Sequence, residues 1–197
     1  MLLHEKLNGK RLILASGSPR RRQLLTEAGL PFVAAGKYEC DETWPEGLPA
    51  CRVAEWLSEL KSRSYPLPLD ENDILITADT TVIVGDEVLG KPSGRSEAVA
   101  MLRSLSGRSH KVVTGVTLRS PSRIHTFSAV TQVAFRELSD EETAYYVDNF
   151  RPYDKAGAYG IQEWIGYAAV ERIEGSFYNV MGLPVQRLYV ELDHFTE

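Results

Sequence analysis

The chain has 197 residues, with 22 Lys and Arg against 27 Asp and Glu, for a net charge of −5. A hydrophobic fraction of 43% with 25% charged residues excludes an intrinsically disordered chain, and the acidic balance argues against a nucleic-acid partner while leaving room for a local basic pocket. No apolar run approaches the ~20 residues of a membrane span and no signal-peptide pattern is present, so the reading is a cytoplasmic protein without a membrane partner, its Cys40 and Cys51 held as thiols.

In chain order, Arg11–Ala15 is a short apolar run that predicts a buried first strand. Ser18 followed by Pro19 predicts a helix start, with Leu24, Leu25 and Ala28 on its apolar face and Gly29 at its stop. Val53, Trp56, Leu57 and Leu60 recur at helical spacing and predict a second helix. The proline-containing stretch Tyr65–Asp73 reads as a surface loop. Ile74–Thr77 predicts a buried strand, and Thr81–Val84 with Glu87–Leu89 a hairpin across Gly85-Asp86. Ser96–Ser106 predicts a helix stopped by Gly107, and His110–Leu118 and Phe127–Phe135 predict strands joined through Ser120-Pro121-Ser122. Ser139 with Glu142 forms a capping box for a helix reaching Phe150. Tyr167–Ile173 and Ser176–Val180 read as a further hairpin, and Pro184 opens a last helix with Val185, Leu188, Tyr189 and Leu192 on one face. The class is α/β with hairpins mixed into the sheet, unlike a strictly alternating, doubly wound parallel fold.

Ser16-Gly17-Ser18-Pro19-Arg20-Arg21-Arg22 places three arginines at a helix N-terminus, where the dipole already carries positive charge. The placement makes sense with an anion in front of the turn, held by the Ser16 and Ser18 hydroxyls, free N–H groups and arginine forks. The alternative is that the arginines are solvated or paired with acids, Arg22 above all. Asp79, read at the end of a buried strand, stands where sites form in α/β proteins and suits Mg²⁺ binding or work on a water, or else caps a local turn. Gly85 to Lys91 has phosphate-loop spacing, but Pro92 replaces the required hydroxyl residue and the interior reads as a strand, so that assignment is rejected. Lys91 can still return toward Asp79 across the hairpin. Asp41, Glu42 and Lys61 are weaker candidates. In Asp154–Gln162 the small residues permit close backbone approach to a ligand or tight packing on the core, and the Gln162 amide can donate and accept toward a base edge. The histidines lack metal-site spacing, and no HExxH, CxxC or GxSxG motif occurs.

These segments together resemble the Maf family of nucleoside triphosphate pyrophosphatases from Leu12 to about Leu192. The resemblance rests on ILASGSPRRRQLL, CDET, WLSELKSRS, TADTTVIVGDEVLGKP, LSGRSHKVVTGV, VTQVAF, DKAGAYGIQ and EGSFYNVMGLP, in that order. It implies a long twisted mixed sheet flanked by helices, in one domain over residues 1–197 with two lobes and a central groove. It also implies hydrolysis between the α- and β-phosphates of a nucleotide, with a divalent metal (Mg²⁺, Mn²⁺ or Co²⁺), and suggests a homodimer. DKAGAYGIQ is similar to the dTTP- and UTP-acting branch; 7-methyl-GTP hydrolysis and a non-catalytic role in cell division are the competing readings. By the resemblance Asp79 is the catalytic base, and Arg20, Thr80 and Gln162 bear on substrate choice. Ser16, Arg21, Lys61 and Lys91 then bind substrate, and Glu42 with Asp79 helps hold metal. The acidic loop sits one residue out of register, which leaves Asp41 and Glu42 as alternatives, and Leu60 and Ser62 flank Lys61 where the family has smaller residues. An ordinary carboxylate is a weak base, so Asp79 is expected to orient a water whose proton a metal loosens.

Overall fold

The computed structural model describes residues 2–36 and 38–196; the outermost bounds of the expected domain, residues 1 and 197, lie outside the described residues. After a short helix α1 (Leu3–Lys6) come strand β1 (Arg11–Leu14), helix α2 (Pro19–Glu27), strand β2 (Val33–Ala34) and helix α3 (Ala50–Ser64). Strands β3 (Asp73–Val84) and β4 (Glu87–Leu89), helix α4 (Arg95–Leu105) and strands β5 (Ser109–Arg119) and β6 (Ile124–Phe135) follow. Helix α5 (Asp140–Phe150), a 3-10 turn (Ala156–Ala158), helix α6 (Trp164–Ala169), strand β7 (Val170–Glu174) and helices α7 (Phe177–Met181) and α8 (Val185–Phe195) complete the chain. Among the described residues no helix is long and apolar enough to cross a membrane.

The strands form one mixed sheet in the order β2-β1-β3-β5-β6-β7, with β4 also on β3. β1 pairs parallel with β2 and β3, and the remaining pairs are antiparallel. Strand alternation sorts the apolar residues by face. Leu12, Leu14, Ile74, Ile76 and Ala78 join the main core with α2, α4, α5 and α8, whereas Ile13, Leu75, Ile83 and Val113 lie in smaller clusters on the opposite face. That opposite face carries α3. Its contact side is Val53, Ala54, Leu57, Ser58 and Ser62, while the expected Trp56 is exposed. Small residues let α3 approach closely: Thr77 Oγ1 donates to Ser58 O at 2.7 Å, and Ser58 Oγ lies 2.9 Å from Thr117 Oγ1.

Three further expectations are corrected. The two runs read as separate strands, Ile74–Thr77 and Thr81–Val84, are one strand of 12 residues, so Asp79 stands in its middle and not at its end. The intervening residues continue the ladder because β5 pairs with them throughout, Asp79 opposite Gly115 and Thr80 opposite Thr114. The second strand of the hairpin read over Ser176–Val180 is helix α7. The Ser176 side chain caps it by accepting from Asn179 N–H at 3.3 Å, and the buried Asn179 amide donates to Val112 O, Ala129 O and Thr131 Oγ1. Tyr167, read as strand, belongs to α6. The hairpin turn at Gly85-Asp86, the Ser18 cap, the Ser139–Glu142 capping box and the free thiols of Cys40 and Cys51 are as read.

Candidate active site

On one edge β3 pairs with β1 through Asp73–Ile76 and with β4 through Val82–Val84. Between those registers residues 77–81 have no strand neighbour on that side. Beside this interruption lies a cavity of about 870 Å³, and Asp79 is one of the residues that line it. Ser16, Arg20, Arg21, Glu42, Lys61, Thr80, Lys91 and Gln162 all line the same cavity, whereas Asp41, the alternative to Glu42, is not among its lining residues.

Alternation along β3 aims Asp79 and Thr80 at opposite faces. Asp79 meets α3, where Lys61 Nζ lies 2.6 Å from its Oδ1 and 3.1 Å from Glu42 Oε2. The loop bearing Glu42 is tied down nearby by a hydrogen bond from Trp56 Nε1 to Thr43 O at 3.0 Å. Both acids of this loop are exposed, but it is Glu42 that pairs with Lys61 and lines the cavity. Thr80 faces the other way, 2.9 Å from Thr114 Oγ1.

Arg21 has a different place from the one its sequence neighbours suggest. Its Nε donates to Gly182 O at 2.7 Å, Nη1 to Ala78 O at 2.9 Å and Ser16 Oγ at 3.2 Å, and Nη2 to Thr80 Oγ1 at 3.0 Å. The guanidinium thus satisfies a carbonyl on the open stretch of β3 and joins α2, β3 and the end of α7. Burial lowers its pKa from the usual value, against the pull of Asp79. Arg20 pairs with Asp154 at 3.1 Å, and Arg22 is exposed, with Nη2 3.4 Å from Ser16 O. Among the described residues Lys91 makes no hydrogen bond or ion pair, and it is exposed at the cavity wall.

The segment from Asp154 to Gln162 is a tight turn packed on the core. A Cβ at Gly157, where φ is +66°, would come within 2.9 Å of the Val82 side chain, so the close approach permitted by glycine is to the sheet. Gly157 N–H also donates to Gly90 O at 3.0 Å, fixing the neighbour of Lys91. The Gln162 Oε1 atom is buried without a partner. Sequence reasoning singled out the segment that opens with Asp154 and Lys155 without assigning either a role, and it missed Glu163 and Tyr146. The buried Lys155 ammonium lies 2.7 Å from Asp154 Oδ1 and 3.1 Å from Glu163 Oε1, and Tyr146 OH donates to Glu163 Oε2. Burial raises the Asp154 carboxyl, but hydrogen bonds from Lys155 and Arg20 outweigh it and the net shift is downward. The adjacent opposite charges of Asp154 and Lys155 were the available signal; Tyr146, on a distant helix, left none.

Among the described residues no cluster of three or more His, Cys, Asp and Glu is arranged to hold a metal. Asp79 and Glu42 nonetheless converge on one cation, the Lys61 ammonium, so the fold stabilises positive charge at that point. One or two carboxylates completed by substrate phosphates is a donor set that Mg²⁺ takes. The residues present therefore fit a divalent cation delivered with a polyphosphate.

The family of Maf-like proteins matches residues 11–195. A dTTP/UTP pyrophosphatase of Bacteroides thetaiotaomicron is 50% identical over 94% of this chain and 96% of its own length. Proteins of the same name from Parabacteroides distasonis and Porphyromonas gingivalis (strain ATCC 33277) are 47% and 48% identical, over 97% and 98% of this chain and 99% and 98% of their own. A solved HAM1 protein of Coxiella burnetii aligns with 94% of this chain and 99% of its own at 12% identity and a TM-score of 0.48, too distant to bear on chemistry. With a family match spanning residues 11–195 and relatives this similar over almost all of their own length, the chain belongs to the Maf family.

Proposed function

We propose that this protein is a nucleoside triphosphate pyrophosphatase that cleaves the α–β phosphoanhydride of dTTP and UTP, releasing the monophosphate and pyrophosphate. The observation that carries the reading is the Asp79 carboxylate, held on Lys61 within the open stretch of β3 and sharing one cavity with the unpaired Lys91 and the free Gln162 carbonyl. The names of the relatives support the same reaction and the same bases.

A triphosphate tail carries several negative charges and needs cations at its oxygens. Lys91 is free to meet them, and Arg20 can do so from its place beside Asp154. Arg21 acts as a strut beneath Thr80, because the protein occupies four of its five N–H donors. Lys61 engages Asp79 Oδ1 and leaves Oδ2 to accept a hydrogen bond from a water aimed at the α-phosphorus. Attack there forms a new P–O bond, breaks the bridging P–O bond to the β-phosphate and expels pyrophosphate. The water's proton passes toward Asp79 Oδ2. A divalent cation held by Asp79, Glu42 and the phosphates would supply charge neutralisation. Gln162 offers both a donor and an acceptor, which suits the imide edge of uracil or thymine.

Pyrophosphate release from a panel of pyrimidine, purine and methylated nucleotides, with Mg²⁺, Mn²⁺ or Co²⁺, tests this reading. The expected result is the highest kcat/KM for dTTP and UTP. Nucleotide binding without pyrophosphate release overturns the catalytic assignment, and a preference for 7-methyl-GTP overturns the base assignment.

A further inference from the structure

Gln162 occupies the third position of a turn that starts at Gly160 and closes through a hydrogen bond from Glu163 N–H to Gly160 O at 3.0 Å. The Glu163 side chain ties the same turn a second time. Its Oε2 accepts from Tyr146 OH, and that hydroxyl accepts from Gly160 N–H at 3.0 Å. Its Oε1 lies 3.1 Å from Lys155 Nζ, which continues through Asp154 to Arg20. The packing is tight, since a Cβ at Gly160 would fall 2.9 Å from Lys155 Cε and 3.0 Å from Glu163 Cδ. Tyr146 is itself anchored, with its ring stacked on Phe150 at 5.1 Å.

An amide reads a base only while the turn that carries it is held in one place, since a shifted turn lets the side chain present its other edge. Turned by half a rotation, Gln162 would exchange donor and acceptor and pair with cytosine as well as it pairs with uracil. Within the reading that Gln162 meets the base, we propose that Glu163 is a positioning residue for base discrimination. It clamps the Gly160–Glu163 turn through Tyr146 and Lys155, and it sets that turn relative to Arg20 through the chain of ion pairs. Glu163 need not touch the nucleotide.

The test compares kcat/KM for UTP and CTP in the wild type, Glu163→Gln and Tyr146→Phe, each also in a Gln162→Ala background, with pyrophosphate inhibition as the measure of tail binding. Tyr146→Phe keeps the stacked ring and provides a second variant should Glu163→Gln fold poorly. The expected result is a fall of about tenfold in the UTP/CTP ratio in either variant, a pyrophosphate inhibition constant within about twofold of wild type, and no further fall once Gln162 is removed. A ratio that stays at the wild-type value in both variants overturns the inference, as does a fall that persists undiminished without Gln162. A wild type that releases pyrophosphate from no nucleotide overturns the proposed function first, and the inference with it.

Discussion

Asp79 stands directly across from Gly115 in the β3–β5 ladder, and at Gly115 the backbone of α3 packs directly on the sheet. A Cβ on Gly115 would lie 2.2 Å from Ala54 O, a backbone atom that cannot swing aside. The missing side chain sets how close α3, and with it Lys61 about two helical turns beyond Ala54, is brought to Asp79. Gly115→Ala must therefore push the helix outward. It should destabilise the fold by roughly 1–3 kcal/mol and lower kcat as the Lys61–Asp79 contact lengthens. Thermal melts alongside steady-state kinetics check this, and a variant with wild-type melting and turnover would show that α3 has room to spare.

Asp79→Asn keeps the shape of the side chain and removes its charge. The expected outcome is a loss in kcat of roughly 10²–10⁴ with little change in nucleotide affinity. Calorimetric titration with a non-hydrolysable nucleotide separates the two. Unchanged turnover removes Asp79 from the mechanism.

Lys91 and Arg21 should fail in opposite ways although both are cations at the same cavity. Lys91→Ala removes a side chain with no bonds among the described residues, so kcat/KM should fall while the melting temperature stays put. Arg21→Lys cannot reach Gly182 O, Ala78 O and Thr80 Oγ1 together. Leaving a carbonyl unsatisfied should cost about 1–3 kcal/mol of stability. Paired melts and kinetics of the two variants distinguish strut from ligand.

His110 provides a pH test of the core. Burial pushes its imidazole down to about 4 from the usual 6.5. Its Nε2 lies 2.7 Å from Tyr159 OH, and its Nδ1 is buried without a partner. The unfolded chain binds the proton more readily than the folded one, so stability is full above about pH 6.5 and declines as the pH falls toward 4. The loss is at most roughly 3 kcal/mol. Urea titrations across that window should show the slope, and His110→Gln should flatten it. An unaltered slope in the variant assigns the acid sensitivity elsewhere.

Local chemistry made much of this architecture readable. The Ser18-Pro19 helix start, the Ser139–Glu142 box and the Gly85-Asp86 turn are short-range devices whose geometry needs no distant partner. Segments decided by remote contacts were harder. Phe177–Met181 has strand-like composition, yet the Ser176 cap and the polar anchorage of Asn179 under β5 and β6 make it helical. Ala78-Asp79-Thr80 looked like a strand's end because a carboxylate interrupts an apolar run, whereas pairing with β5 carries the strand straight through. The hairpin placed Lys91 near Asp79, whereas Ser16, Lys61 and Gln162 were joined to them by the family resemblance and not by their own motifs. What Arg21 holds, and the chain from Arg20 to Glu163, depended on carbonyls and side chains that no local pattern reveals.

The interruption along β3 has a consequence for self-association. Unpaired strand edges normally sit at the perimeter of a sheet, where a second chain can extend the ladder and seed aggregation. Here residues 77–81 form an edge without a strand partner among the described residues, bracketed by β1 and β4 and capped at Ala78 O by Arg21. An intruding polypeptide would find room for only a handful of rungs before meeting a neighbour at either end. The cavity beside this stretch has room for a small solute, while a passing chain is denied the length it needs to template on the strand.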